Sequence, residues 1–207
     1  MGTRDSYDEI ADEYANRFWD ELDGKPLDRA LLNVFAGAVG ADRPAADIGC
    51  GPGHIARYLR DRGVPMVGVD LSPRMIDTAA TAHPDIEFHV GDMTELPFPD
   101  QFWGGIVAFY SIIHVAAADL PAAFGEFYRT LHPGAPLLLS FHMGDEIRHF
   151  DDLWGHPVDL DFRFYERPMI ESLLQKAGFT ISATVERQAY PAEVPTTRAY
   201  LLAHRPA

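Results

Sequence analysis

The sequence is short of several things, and each shortage narrows what it can be. It has one cysteine, Cys50, in 207 residues, so no disulfide can form within the chain and a reducing compartment fits. Its longest apolar run, Ile106 to Ala118, contains His114 and falls well below the roughly 20 residues that a membrane helix needs. Its first residues are acidic rather than basic and then apolar, so they do not read as a secretory signal. Basic residues are scarce, 17 Lys and Arg against 31 Asp and Glu, for a formal net charge of −14. Such a field repels phosphate backbones and anionic bilayers, which argues against a nucleic-acid or membrane partner. Repeats, low-complexity tracts and linkers are also missing. The expectation is one cytoplasmic domain over residues 1–207, monomer or homodimer, with a small molecule as its partner.

What is present has the balance of a globular protein, 47% hydrophobic and 23% charged. The chain opens with a helical pattern in which Tyr7, Ile10, Ala11, Tyr14, Ala15, Phe18, Trp19 and Leu22 share one face. Ser6 and Glu9 have the spacing of a capping box for it. Pro26 suits the first turn of a second helix, and together these make an N-terminal helical cap over residues 1–40. From Pro44 onward strands and helices alternate. Strands are predicted at Ala45 to Ile48, Met66 to Val69, Ile86 to Val90, Ile106 to Phe109 and Leu137 to Phe141. Helices start near His54, at Pro73 behind a Ser72 cap, after Asp119, and at Pro168. Two last strands, Thr180 to Glu186 and Arg198 to Ala203, have no helix between them and should pair antiparallel at one edge. This is the pattern of an α/β fold, a doubly wound parallel sheet with helices on both faces. Ligands in such sheets bind beyond the C-terminal strand ends, where the strand order reverses.

The chemistry-bearing residues fall at those ends. The first strand runs into Asp47-Ile48-Gly49-Cys50-Gly51-Pro52-Gly53-His54. Glycines there permit a tight turn and close approach of backbone to a ligand, and the following helix offers free N–H groups. A dinucleotide site needs Gly or Ala at position 54, where this chain has His. A carboxylate at Asp47 would also repel a pyrophosphate and attract a cation. S-adenosylmethionine (SAM) carries an ammonium and a sulfonium and no phosphate. Asp70 ends the second strand at the spacing of an acid that accepts from both ribose hydroxyls. Asp92 follows the third strand as an acceptor for an adenine amino group, with Met93 against the ring. Phe109, Tyr110 and Ser111 would wall the pocket.

The set Asp47-x-Gly49-x-Gly51, Asp70-Leu71-Ser72, Gly91-Asp92 and Leu96-Pro97-Phe98-x-Asp100 resembles the class I SAM-dependent methyltransferases. The resemblance is to their small methyltransferase-domain branch, which includes ubiquinone-biosynthesis and natural-product enzymes. The opening Tyr7-Asp8-x-x-Ala11-x-x-Tyr14 resembles the same branch. The resemblance implies a Rossmann-like seven-stranded sheet of order 3-2-1-4-5-7-6 with strand 7 antiparallel. It implies SAM as cofactor, S-adenosylhomocysteine as product, and a cofactor set of Tyr14, Asp47, Gly49, Cys50, Gly51, Asp70, Leu71, Met75, Asp92, Met93 and Phe109. Within that set Cys50 also reads as a packing residue, and Tyr14 as either core or a hydroxyl over the methionine end.

With the first three strands committed to cofactor, the methyl group should face the ends of strands four and five. That singles out Tyr110, His114 and His142 as the acceptor side, the histidines because they titrate near neutrality; each also reads as a hydrogen-bonded structural residue. Residues 143–167 form an insertion rich in aromatics, read as a substrate lid or as a capping helix over the sheet. His149, Asp151, Asp152 and His156 within it match no common zinc spacing, so no metal is expected. The reading is methyl transfer to oxygen or nitrogen of a small acceptor, a secondary metabolite among the candidates. The alternatives are a nucleotide-dependent oxidoreductase and a non-catalytic SAM-binding regulatory module.

Overall fold

The computed structural model describes residues 1–40 and 42–207. Its elements are α1 (Thr3–Phe18), a 3₁₀ turn (Glu21–Gly24), α2 (Pro26–Ala38), β1 (Ala45–Ile48), α3 (His54–Arg60), β2 (Met66–Asp70) and α4 (Pro73–Ala82). Then come β3 (Glu87–Val90), β4 (Gly105–Phe109), a second 3₁₀ turn (Ile112–His114), α5 (Leu120–Thr130) and β5 (Pro136–His142). The chain ends with β6 (Ile147–Leu153), β7 (His156–Arg163), α6 (Arg167–Ala177), β8 (Thr180–Arg187) and β9 (Arg198–His204). Seven strands form one sheet in the order β3-β2-β1-β4-β5-β9-β8, and β6 and β7 form a separate hairpin. Strands β1 to β5 run parallel, whereas β9 is antiparallel to both β5 and β8. With β9 as the seventh strand of this sheet, the order is the one the motifs imply. The order reverses between β1 and β4, so their C-terminal ends open a crevice.

Alternation along the strands sorts side chains between two cores. On β5, Leu137, Leu139 and Phe141 face the side covered by α5 and α6, with Phe124 and Phe127; Leu138 faces α2 and α3, with Phe35 and Leu59. Each large apolar side chain buried this way contributes about 1.5–3 kcal/mol. The fully parallel centre reads as near-continuous apolar runs because both faces are covered. Among the described residues, no helix is long and apolar enough to cross a membrane.

Two sequence expectations change. The Ser6–Glu9 capping box does not form, because α1 starts earlier, at Thr3, and the Asp5 carboxylate accepts the Gly2 N–H at 3.3 Å. Ser6 is instead buried inside the helix, where its hydroxyl accepts the Asp159 N–H at 2.8 Å. The insertion contains no helix between residues 147 and 163; it is the hairpin β6–β7. Trp154 and Gly155 close it with φ of 58° and 87°, the left-handed pair of a two-residue turn whose twist matches the strands. Ile10 of α1 packs on Val158 and Leu160 of β7, so the cap and the hairpin share a small core of their own.

Candidate active site

The glycine turn is shaped by its neighbours. Gly49 has φ of 74°, and a Cβ there would lie 2.3 Å from the Ser111 Cβ, so only glycine lets β1 and β4 end side by side. Ser111 closes this junction by donating its hydroxyl to the Ile48 carbonyl at 2.7 Å. At Gly51, φ is 51°, and its N–H donates to Asp70 Oδ2 at 2.8 Å. Asp70 Oδ1 accepts the Ser72 N–H at 2.9 Å. A carboxylate has about four acceptor positions, so Asp70 holds the turn and keeps capacity for a ligand. Burial pushes its carboxyl above the ordinary value, and the backbone donors pull against that.

Beyond these strand ends lies a cavity of about 540 Å³, inside the roughly 300–1,000 Å³ of small-molecule sites. It is lined by Gly49, Gly51 and Asp70, by Leu71, Met75, Asp92 and Met93, and by Phe109 and Tyr110. Tyr14 lines it from α1. Asp92 closes its own loop, with Oδ1 accepting the Thr94 N–H at 2.8 Å and hydroxyl at 2.7 Å.

Three of the expected residues are not on this wall. Asp47 lies behind the turn and accepts the Ala56 N–H at 3.1 Å, fastening α3 to β1. Burial, more than the nearby Asp70, lifts its carboxyl to about 7 against the pull of His54 and the Ala56 N–H; from this position it braces the turn. Cys50 is sealed beneath the turn, 2 % exposed and packed toward Gly68. His142 sits behind Tyr110, 5.2 Å between ring centroids, with its Nδ1 on the Thr196 hydroxyl at 2.8 Å. Tyr110 shows only its ring to the cavity. Asp28 can only accept, so Tyr200 donates to it at 2.8 Å and Tyr110 donates in turn to Tyr200 at 2.6 Å. The Tyr110 hydroxyl is therefore spent behind the wall.

His114 is on the wall, and its tautomer follows from its partners. Its Nδ1 lies 3.1 Å from the Asp161 carbonyl, which can only accept, so Nδ1 carries the proton. Its Nε2 then accepts from the Tyr7 hydroxyl at 2.6 Å. Burial pushes His114 down to about 4, with the Arg163 charge adding to this against the Asp161 carbonyl; the imidazole is neutral at physiological pH. Burial also raises the Tyr7 phenol. Tyr7 was legible as an apolar-face residue of the first helix and as the opening residue of the Tyr7-to-Tyr14 motif, but not as a site residue. The missed signal is its seven-residue spacing from Tyr14, two helical turns, which puts both hydroxyl-bearing rings over one cavity. Among the described residues, no group of three or more His, Cys, Asp and Glu is placed to hold a metal.

A glycine turn after β1, an acid ending β2 that holds this turn, and a sheet reversing between β1 and β4 define the class I SAM-dependent methyltransferase fold. Residues 45–134 match the family described as "Methyltransferase domain". The chain is 33% identical over 108 residues to malonyl-[acyl-carrier protein] O-methyltransferase of Serratia marcescens, covering 52% of this chain and 42% of that one. It is 32% identical over 133 residues to phosphoethanolamine N-methyltransferase 3 of Arabidopsis thaliana, covering 62% and 24%. The chain thus spans less than half the length of these curated relatives. A SAM-dependent methyltransferase from Methanosarcina mazei shares the fold with a TM-score of 0.75 at 19% identity, covering 84% of this chain and 97% of that one.

Proposed function

We propose that this chain binds SAM and transfers its methyl group to an oxygen or nitrogen of a small acceptor. The observation that carries this is Asp70, a buried acid fixed by the Gly51 and Ser72 N–H groups at the lip of a small-molecule cavity. The fit is specific at Gly51, where an added Cβ would meet only the Tyr14 ring, at 3.7 Å, so backbone is presented to the cavity. When bound, SAM supplies a sulfonium-activated methyl electrophile. Asp70 would hold the ribose, Asp92 and Met93 the adenine, and the Gly49–Gly51 backbone the methionine end.

The chain's own work is then alignment, exclusion of water and handling of one proton. Tyr7 and Tyr14 roof the cavity from α1. The Tyr7 hydroxyl is the group that a protonated acceptor would meet, with His114 Nε2 behind it to receive a proton and the Asp161 carbonyl fixing the imidazole. Such a pair suits an acceptor O–H or N–H that must lose its proton as it is methylated. The names of the relatives suggest malonyl-[acyl-carrier protein] and phosphoethanolamine as first acceptors to try.

Calorimetric titration with SAM and with a dinucleotide, followed by mass spectrometry over an acceptor panel, tests the proposal. SAM binding and a product heavier by one methyl are expected. Dinucleotide binding in place of SAM would point to an oxidoreductase, and SAM binding without any product to a regulatory module.

A further inference from the structure

The hairpin offers an edge that the rest of the chain leaves open. Strand β7 is covered by α1 and meets His114 through the Asp161 carbonyl. Strand β6 pairs only with β7 among the described residues. Such an edge presents unpaired N–H and C=O groups to solvent and is a template for another strand. The register steps three residues on β7, from Leu160 to Pro157, against two on β6, from Phe150 to Asp152. The irregularity is thus in β7, and β6 stays continuous. Ile147, 56% exposed, stands on this edge.

The sequence of β6, Ile147-Arg148-His149-Phe150-Asp151-Asp152-Leu153, is self-complementary about its centre. Antiparallel pairing with an identical strand about Phe150 sets Arg148 opposite Asp152, His149 opposite Asp151, Ile147 opposite Leu153, and Phe150 opposite itself. Arg148 and the His149 imidazole each face a carboxylate and every apolar group an apolar one, and each pair other than the central Phe150 pair occurs twice by the two-fold symmetry. Directly opposed pairs of these kinds favour a register, and like charges would oppose it. An edge guarded against pairing needs no such matching; charges of one sign would do it better. A self-complementary patch is what an isologous two-fold interface requires.

We propose that β6 is a homodimer interface, in which two copies of the chain join their hairpins into one four-stranded antiparallel sheet. The occupant is a second copy because the charge order of β6 complements itself. The inference is independent of the methyl-transfer reading. The contact is one strand per copy, so the dimer is expected to be weak, with a dissociation constant in the micromolar range. In it, the strand that holds His114 and α1 would gain a two-sheet-edge brace beside the cavity.

Sedimentation velocity of the full chain up to roughly 200 µM should show a monomer–dimer equilibrium in this range. Arg148→Asp and Asp152→Arg should each weaken self-association at least about tenfold. Mixed one to one, the two variants should recover a dimer, because each restores the charge that the other has reversed. Phe150→Cys tests the register without relying on charge. Residue 150 meets its own copy on the two-fold axis, so this variant should oxidise to a linked dimer while Ile147→Cys does not; Cys50 is buried and does not interfere. A chain that stays monomeric throughout, a dimer indifferent to both reversals, a mixture that does not recover, or linking at position 147 in place of 150 would each overturn the proposal.

Discussion

The two sides of the cavity are built by different means. The strand-end side is made of backbone: the Gly49 and Cys50 N–H groups share the Val69 carbonyl, the Gly51 N–H is held by Asp70, and Gly91 donates to the Asp70 carbonyl at 2.9 Å. Moving any of these breaks a sheet. The other side is assembled from side chains on three separate elements, with α1 giving Tyr7, the 3₁₀ turn giving His114, and β7 giving the carbonyl that orients it. Its polar tie to the cofactor side is the Asp8 carboxylate accepting the Ser72 hydroxyl at 2.6 Å, while Ser6 accepting from Asp159 joins α1 to β7 within the wall itself. On the proposed function, such a fold fixes a cofactor shelf rigidly and leaves the wall that would meet the acceptor to be rebuilt by changes in a cap and a hairpin.

The sharpest way to separate the two sides is to disable the side-chain wall and watch the shelf. Tyr7→Phe and His114→Ala should each lower turnover, by roughly 10²–10⁴-fold for an acceptor that must lose a proton, with SAM affinity nearly unchanged. A parallel loss of SAM affinity by calorimetry would put them on the cofactor side. The two losses should also be strongly non-additive in the double variant, because one proton passes through both.

Acid should strike the wall through the same imidazole. Burial holds His114 at about 4 in the folded chain against an ordinary 6.5. The unfolded chain therefore binds a proton that the folded chain refuses, and stability falls as pH drops from about 6.5 towards 4, then levels off. At about 1.4 kcal/mol per unit the full effect is roughly 3 kcal/mol. His142, also pushed down to about 4 by burial and by the Arg198 charge, acts in the same direction. Asp47, held up at about 7, acts in the opposite one, contributing stability at low pH that is lost as pH rises through 7. Urea unfolding at pH 6.5 and 4.5 should show a smaller acid loss in His114→Gln than in the parent; equal losses would place the acid sensitivity elsewhere.

On the shelf, Asp70→Ala should weaken SAM binding by about 1.5–3 kcal/mol, the cost of losing hydrogen bonds to a charged group, whatever acceptor is present. Unchanged affinity would remove Asp70 from the site. The smallest effect should come from the joint between the two sides. Asp8 accepts the Arg74 N–H at 3.1 Å as well as the Ser72 hydroxyl, so it caps α4 from a distant part of the chain. Asp8→Ala should cost about 1 kcal/mol of thermal stability, as for loss of a helix cap, and shift turnover more than SAM affinity.

This contrast also explains what was legible in the sequence. The strand positions, the glycine turn and the acids that end β2 and follow β3 were readable because each follows from a local pattern, an apolar run, a turn residue or a spacing, whereas the strand order came only with the family resemblance. Asp47 was placed at the right strand end but on the wrong side of the turn. Strand alternation says which residues end a strand, while the direction of the last side chain depends on what packs behind, here the Ala56 N–H. The hairpin was not legible as strands, because the irregular register of β7 and the acid-rich β6 blur its alternation. Val158, Leu160 and Phe162 still alternate with acids at a period of two. The Tyr7–His114 pair could not be read at all from spacing, since 107 residues separate its members. Contacts between elements that are distant along the chain are set by tertiary packing alone.

The roof formed by α1 has a consequence for the rhythm of the reaction. Thr3, Tyr7 and Tyr14 all lie over the cavity, and their helix is seated on both α4 and β7. On the proposed methyl-transfer reading, a substrate that enters beneath this helix would need it to lift, and that step would separate one turnover from the next. Rapid-quench measurements should then show a burst, with the first methyl transferred faster than any that follow, and conditions that loosen the helix should raise the steady rate and shrink the burst as release approaches the rate of transfer.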